Sequence, residues 1–338
     1  METIFVSIAS YRDPVCTSTL ESLYSQAKNP EKIFCGVVQQ NHQNDADCVR
    51  SAAESVPINN VRIIRMDNME AKGAVWARWL CSTLYNNETY YFQIDSHTKF
   101  VKDWDITLIN MIKEIKEKNL SQKPVISHYP DSMESYTDSP NGNMVTRICS
   151  SFWNTRDMLS FLGAESIDSK GEYYPTPYVS GGMLFTEGIF LKDVPYPDDA
   201  MYLFVGEEIL HSIRLYTSGY DIFCPNKNVI FHEYTRADKP KIWTDKVYTD
   251  TEAFEKVKKL IGISDGSLND YRYGLGKIRT LNDYYTFAGI SLRDRKVYKN
   301  FCRENNIATA EDILKSNENT SNFSQTITLF IIFTLAGI

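Results

Sequence analysis

No dense Lys/Arg tract occurs in these 338 residues, and 36 Lys and Arg stand against 43 Asp and Glu, a formal charge of −7. A nucleic-acid backbone would meet no basic field, so nucleic acid is excluded as a partner. The C-x-x-C spacing of metal ribbons and redox motifs is also missing. Seven cysteines, Cys16, Cys35, Cys48, Cys81, Cys149, Cys224 and Cys302, are scattered and odd in number. Several lie in apolar runs and read as small core residues in a reducing compartment. No basic region or long apolar stretch precedes Ile4-Phe5-Val6-Ser7-Ile8, which is already a strand, so no secretory signal is expected and the chain is placed in the cytoplasm. The apolar run Ile327 to Ile338 follows a polar linker, Ser316 to Ser324, and falls short of the roughly 20 residues of a spanning helix. It reads equally as a packed or oligomer-forming tail and as a clipped anchor, and membrane contact is expected only through it. Internal repeats and a separate lectin domain are absent.

What is present is an ordinary globular composition, 43% hydrophobic and 13% aromatic, enough for one large core or two small ones. Strand patterns at Ile4–Ile8, Ile33–Val38, Val61–Met66, Tyr90–Ile94 and Val125–Ser127 alternate with helical ones. The helices start after Asp13-Pro14, where Asp13 can cap and Pro14 can open the first turn, then at Ala71 and at Asp103. Repeated β-α-β units predict an α/β fold with a mostly parallel central sheet flanked by helices. The first turn carries neither G-x-G-x-x-G nor G-x-x-x-x-G-K-[ST], which removes dinucleotide oxidoreductases and P-loop NTPases. What remains is a nucleotide held by side chains and a metal.

The stretch Tyr90-Tyr91-Phe92-Gln93-Ile94-Asp95-Ser96-His97 is a buried strand ending in an acid and a histidine. Ligands in open α/β sheets gather at the carboxyl ends of strands. Residues two apart share a side of an extended chain, so Asp95 and His97 can grip one divalent cation, manganese or magnesium, with Ser96 turned away. Val229-Ile230-Phe231-His232 ends the same way and offers His232 as a third ligand. Val179 to Phe185 restores a strand, and Gly181 and Gly182 would let a ligand approach its backbone. Gly206-Glu207-Glu208 opens a helix, where two acids also suit the helix dipole. Glu233 to Lys241 reads as a mobile loop with cations for phosphates.

These motifs, in this order over roughly residues 1 to 245, resemble the polypeptide and hydroxyproline N-acetylglucosaminyltransferases. The resemblance rests on Ile4 to Pro14, Ala71-Lys72-Gly73 to Ala77-Arg78, Asp95-Ser96-His97, Gly206-Glu207-Glu208 and Phe231-His232-Glu233-Tyr234-Thr235-Arg236. It implies a GT-A nucleotide-sugar transferase fold, a UDP-sugar donor, a divalent metal and retention of the donor's configuration. By resemblance, Asp95, His97 and His232 hold Mn2+ (or Mg2+). Tyr11, Arg12, Asp67, Arg78, Ser96, Gly181, Gly182 and Arg236 bind the donor, and Glu207 and Glu208 form the catalytic centre. The expected activity is transfer of N-acetylglucosamine from UDP-GlcNAc to a hydroxyl of a protein or peptide acceptor, on hydroxyproline or Ser/Thr. The alternatives are UDP-GalNAc or UDP-glucose as donor, a glycan as acceptor, or an inactive nucleotide-sugar-binding protein. The expected layout is a catalytic domain over 1–245 with a loop-rich insertion at about 130–178, a helical extension of the same domain over 246–315, and a linker and tail over 316–338.

Overall fold

The alternating apolar segments of the first half become one side of a sheet. A computed structural model describes residues 2–303 except 55, 138–141, 162, 267 and 269. In its eight-stranded sheet, neighbours run Tyr174–Thr176, Asp221–Cys224, Pro124–Ile126, Met183–Glu187, Tyr90–Asp95, Ile4–Tyr11, Ile33–Asn41 and Val61–Asp67. Ile4–Tyr11 pairs in parallel with both Ile33–Asn41 and Tyr90–Asp95, and Ile33–Asn41 in parallel with Val61–Asp67. The second half brings the antiparallel junctions: Met183–Glu187 runs against both Tyr90–Asp95 and Pro124–Ile126, and Tyr174–Thr176 against Asp221–Cys224.

Alternation along Ile4–Tyr11 divides the core, because successive side chains leave opposite faces. Ile4, Val6 and Ile8 pack with Leu20 and Leu23 of helix Cys16–Ser25 and with Trp104, Leu108, Ile112 and Ile115 of helix Trp104–Glu117. Phe5 faces the other way, against Tyr91, Leu184, Phe190 and Leu215. Ala77 and Cys81 of helix Ala74–Thr83 cover Val38 on the neighbouring strand. The indole of Trp104, fully buried, donates to the Leu23 carbonyl at 2.9 Å, which satisfies its one polar atom.

Residues 130–178 hold more regular structure than their turn-rich composition suggests. Met144–Ile148 pairs antiparallel with Ala164–Asp168, and Ser151–Trp153 with Leu159–Phe161. Beyond residue 246 lie helices Thr251–Leu260 and Leu281–Ala288 and a small strand pair, Ile290–Ser291 with Lys296–Val297. Both helices pack with Ile209, Leu210 and Ile213 of helix Glu207–Thr217. The expected linker and tail, 316–338, lie outside the described residues. Among the described residues no helix is long and apolar enough to cross a membrane.

Two sequence expectations change here. Four cysteines are paired, Cys16 with Cys48 and Cys149 with Cys302, and only Cys35, Cys81 and Cys224 are buried free thiols. The partners stand 32 and 153 residues apart in sequence, so no short spacing announces them; folding brings their Cα atoms to 5.2 and 4.9 Å. The cysteines therefore give no support to a reducing compartment. Asp13 is not the N-cap of the first helix, which begins at Cys16 after Val15. One carboxylate oxygen accepts from the Val15 amide, and the other is engaged elsewhere.

Candidate metal centre and active site

Strand Tyr90–Asp95 delivers Asp95 at the carboxyl edge of the sheet, and a short three-stranded sheet brings its partners. Ile230–His232 runs antiparallel to Thr98–Phe100, with His232 opposite Thr98. His232 is thereby set beside the Asp95-Ser96-His97 turn. The Nε2 of His232 is 3.1 Å from Oδ2 of Asp95, and the His97 and His232 rings lie 4.5 Å apart. One ligand atom from each of Asp95, His97 and His232 falls within 4.8 Å of the others. Nε2 of His97 and Nδ1 of His232 are buried without a hydrogen-bond partner. A carboxylate and two imidazoles, each with one unpartnered ring nitrogen, fit a divalent cation.

Burial would raise the Asp95 carboxyl, but His232, Arg78 and His97 together hold it well below the usual carboxylate range. Burial, aided by His232, lowers His97 against the pull of Asp13 and Asp95, which favours the neutral imidazole that ligation needs. Asp13 touches His97 from behind. Its Oδ2 is 2.7 Å from His97 Nδ1, accepts from Ser96 Oγ at 2.6 Å and lies 3.1 Å from Arg236 Nη2. Burial works against that charge, yet these donors bring the Asp13 carboxyl down to about 2.

Met183–Glu187 runs against Tyr90–Asp95, so its amino end, not its carboxyl end, reaches the site. That places Gly181 and Gly182 beside Asp95. A Cβ on Gly182 would stand 2.9 Å from Asp95 Oδ2, and one on Gly181 3.2 Å from Arg78 Nη1. A side chain at either position would crowd these groups, most of all at 182.

Arg78 lies on the buried face of helix Ala74–Thr83. Its guanidinium pairs with Glu207, reaches Asp95 Oδ1 at 3.2 Å and donates to the Gly181 carbonyl at 2.7 Å. Gly206, at φ +95°, turns the chain into helix Glu207–Thr217, where a side chain would be strained. Glu208 then accepts from the Gly181 amide at 2.8 Å and from the Tyr129 hydroxyl at 3.0 Å. Burial and the neighbouring Glu207 push its carboxyl up to about 7 despite those donors and Arg78.

Tyr11 and Arg12 lie further along the same edge. The Tyr11 hydroxyl donates to Asp245 at 2.6 Å, and Arg12 joins Asp45 at 2.8 Å and Asp245 at 3.0 Å. Burial, with Asp245, raises the Tyr11 hydroxyl far above its ordinary range. Asp67 is exposed and accepts from the Met69 amide, closing the turn Asn68–Glu70; its neighbour Asn68, buried, reaches Asp245 instead. Arg236 is buried on Asp13 and Glu233, and Lys241, also buried, donates to the Arg236 carbonyl. The segment expected to be mobile is pinned at both ends.

A family model described as Glycosyltransferase (GlcNAc) matches residues 3–59 and 50–294. The chain belongs to this glycosyltransferase family. Among solved structures, GalNAc-T7 with UDP, GalNAc and Mn2+ aligns over 84% of this chain and 54% of its own at 14% identity, TM-score 0.53. S. aureus TarS 1–349 in complex with UDP-GlcNAc aligns over 79% of this chain and 68% of its own at 13% identity, TM-score 0.47. The glycosyltransferase thus spans about half the length of GalNAc-T7, whose likeness identifies the GT-A fold. A search of curated proteins returned no match.

In this glycosyltransferase the structure gathers Asp95, Ser96, His97, His232, Arg78, Gly181, Gly182, Glu207, Glu208 and Arg236 around one edge, with Tyr11 and Arg12 adjoining. Asp67 faces solvent. Asp13, Tyr129 and Asp245 also belong to this region. Asp13 lies within the Ile4 to Pro14 motif, where its position before Pro14 suggests a helix cap; Tyr129 and Asp245 carry no local signal, since each acts through a contact 79 or more residues away.

Proposed function

We propose that this chain is a metal-dependent, retaining glycosyltransferase that moves N-acetylglucosamine from UDP-GlcNAc to a hydroxyl of a protein acceptor, hydroxyproline or Ser/Thr. The observation that carries the reading is the convergence of Asp95, His97 and His232, with an orphaned buried imidazole nitrogen, beside the Gly181-Gly182 turn and the two glutamates. A divalent cation there, Mn2+ or Mg2+, would neutralise the charge that develops on a departing diphosphate. The remaining work falls to the chain itself.

Arg78 holds Asp95, the Gly181 carbonyl and Glu207 in one network, which fixes the floor of the donor pocket. The Gly181-Gly182 backbone admits the sugar close to that floor. Glu208, with a carboxyl near neutrality, can donate to or accept from a sugar or acceptor hydroxyl at working pH. Glu207 is tied to Arg78 and Glu208 to Tyr129 and Gly181, contacts that suit carboxylates orienting hydroxyls better than a free nucleophile. Front-face attack, with the departing phosphate oxygen taking the acceptor's proton, follows more directly than a covalent glycosyl-glutamate. Tyr11 and Arg12 would face the uridine or phosphate end of the donor.

The reading is tested by UDP release from a panel of UDP-sugars with water as acceptor, with added manganese or added chelator. Manganese-dependent hydrolysis favouring UDP-GlcNAc is expected. Preference for UDP-GalNAc or UDP-glucose would change the donor, and absence of both hydrolysis and manganese-dependent UDP binding would leave an inactive nucleotide-sugar-binding protein.

A further inference from the structure

We propose that Asp13 is a positioning residue that fixes the tautomer and orientation of His97, so that Nε2 faces a divalent cation. The inference rests on the metal site of the preceding section. Asp13 leaves the sheet immediately after Arg12, whose φ of +46° turns the chain sharply at the end of strand Ile4–Tyr11. Its side chain, 1% exposed, then lies under the Asp95-Ser96-His97 turn. Its Oδ2 meets His97 Nδ1, Ser96 Oγ and Arg236 Nη2, and its Oδ1 meets the Val15 amide at 3.1 Å and Arg236 Nη1 at 3.4 Å.

An ionised carboxylate can only accept hydrogen bonds. At 2.7 Å from it, Nδ1 of His97 must carry the proton, which leaves the lone pair on Nε2. That nitrogen is buried and has no partner. A ligating imidazole whose other nitrogen donates to a carboxylate has both its tautomer and its ring plane set, and loss of such a support typically costs about 10–100-fold in metal affinity. The alternative, a turn-forming aspartate at a helix start, accounts for the Val15 contact alone. The helix itself begins at Cys16 with no side-chain cap.

Asp13→Asn separates the two roles. The side-chain carbonyl keeps the Val15 contact, while the amide presents N–H to Nδ1 and favours the tautomer with its proton on Nε2. Binding of Mn2+ alone to the full chain, followed by the electron paramagnetic resonance of the free ion, should weaken about 10–100-fold in Asp13→Asn. His97→Ala should abolish it. Long-range 15N–1H correlation on the metal-free wild type should show His97 protonated at Nδ1 and bare at Nε2, a result that needs no variant to fold. Mn2+ affinity within about twofold of wild type in Asp13→Asn, or a proton on Nε2 in the wild type, overturns the inference while the metal site stands. A wild type that binds no Mn2+ overturns both.

Discussion

Glu207 and Glu208 are adjacent in sequence and differently held. Glu207 faces the guanidinium of Arg78, whereas Glu208 has only the neutral donors of Gly181 and Tyr129. The raised carboxyl of Glu208 makes folding depend on pH. Between about 4.5 and about 7 the folded chain keeps a proton that the unfolded chain has released. The stability this contributes is complete below about pH 4.5 and is lost as pH rises through about 7, on the order of 3 kcal/mol for a shift of this size. Thermal melts of wild type and Glu208→Gln across this range should diverge, the wild type losing ground as pH rises; parallel curves would show that Glu208 is not the group concerned. The same variant should lower turnover and leave UDP affinity unchanged. Arg78 presents the opposite case, a buried cation with two carboxylates on it. Arg78→Met would leave Asp95 and Glu207, both partly buried, facing each other across the vacated place, and removal of one partner from such a network costs up to about 3–5 kcal/mol. Urea unfolding should register that loss, and a midpoint like the wild type's would mean that water replaces the guanidinium.

At the scale of elements, the Gly181-Gly182 turn acts through what it omits. Gly182→Ala would drive a methyl against Asp95 Oδ2, so Mn2+ binding by titration should weaken at least tenfold, with little change in fold because the turn stays at the sheet's edge. Unaltered binding would place the cation away from this oxygen. The ends of strands Tyr90–Asp95 and Ile230–His232 were legible as candidate ligand positions because an apolar run stopping at Asp or His is a local pattern. The helix opening at Gly206 was legible for the same reason. Orientation was not: Met183–Glu187 reads as one more strand, and nothing in its residues says that it runs antiparallel and meets the site with its amino end. The motif makes Arg78 a donor contact, and helical spacing with Val75, Ala77 and Cys81 puts it near the inward face. The disulfides were illegible, since they are tertiary events. Cys149–Cys302 ties the end of strand Met144–Ile148 to a residue 153 positions on. Replacing both cysteines by serine should cost roughly 2–4 kcal/mol by releasing that loop in the unfolded chain. Calorimetry with and without reductant checks it, and a melting temperature insensitive to reduction would argue against the bridge.

On the scale of the whole molecule, the sheet's edge is closed by chain that comes from far along the sequence. Asp245, at the end of helix Ile242–Asp245, accepts from Tyr11, Arg12 and Asn68, residues 234, 233 and 177 positions earlier. Lys246 reaches the carbonyls of Met69 and Ala71, and Arg236 is anchored on Asp13. Composition alone made 233–241 a polar, mobile stretch; the contacts that hold it are long-range and leave no trace in local pattern. These contacts make Asp245 the joint between the carboxyl-terminal part and the first strand. Asp245→Ala removes three acceptor contacts at once and strands Tyr11 and Arg12 without that partner, although Arg12 keeps Asp45. The segment should then open more often, because local opening follows the loss of the few contacts that oppose it. Limited trypsin digestion should cut faster after Lys241 or Lys246 in the variant, with sites in the strands of the central sheet unaffected. Equal cleavage rates would mean that Lys246 and Arg236 suffice to hold the segment without the Asp245 contacts.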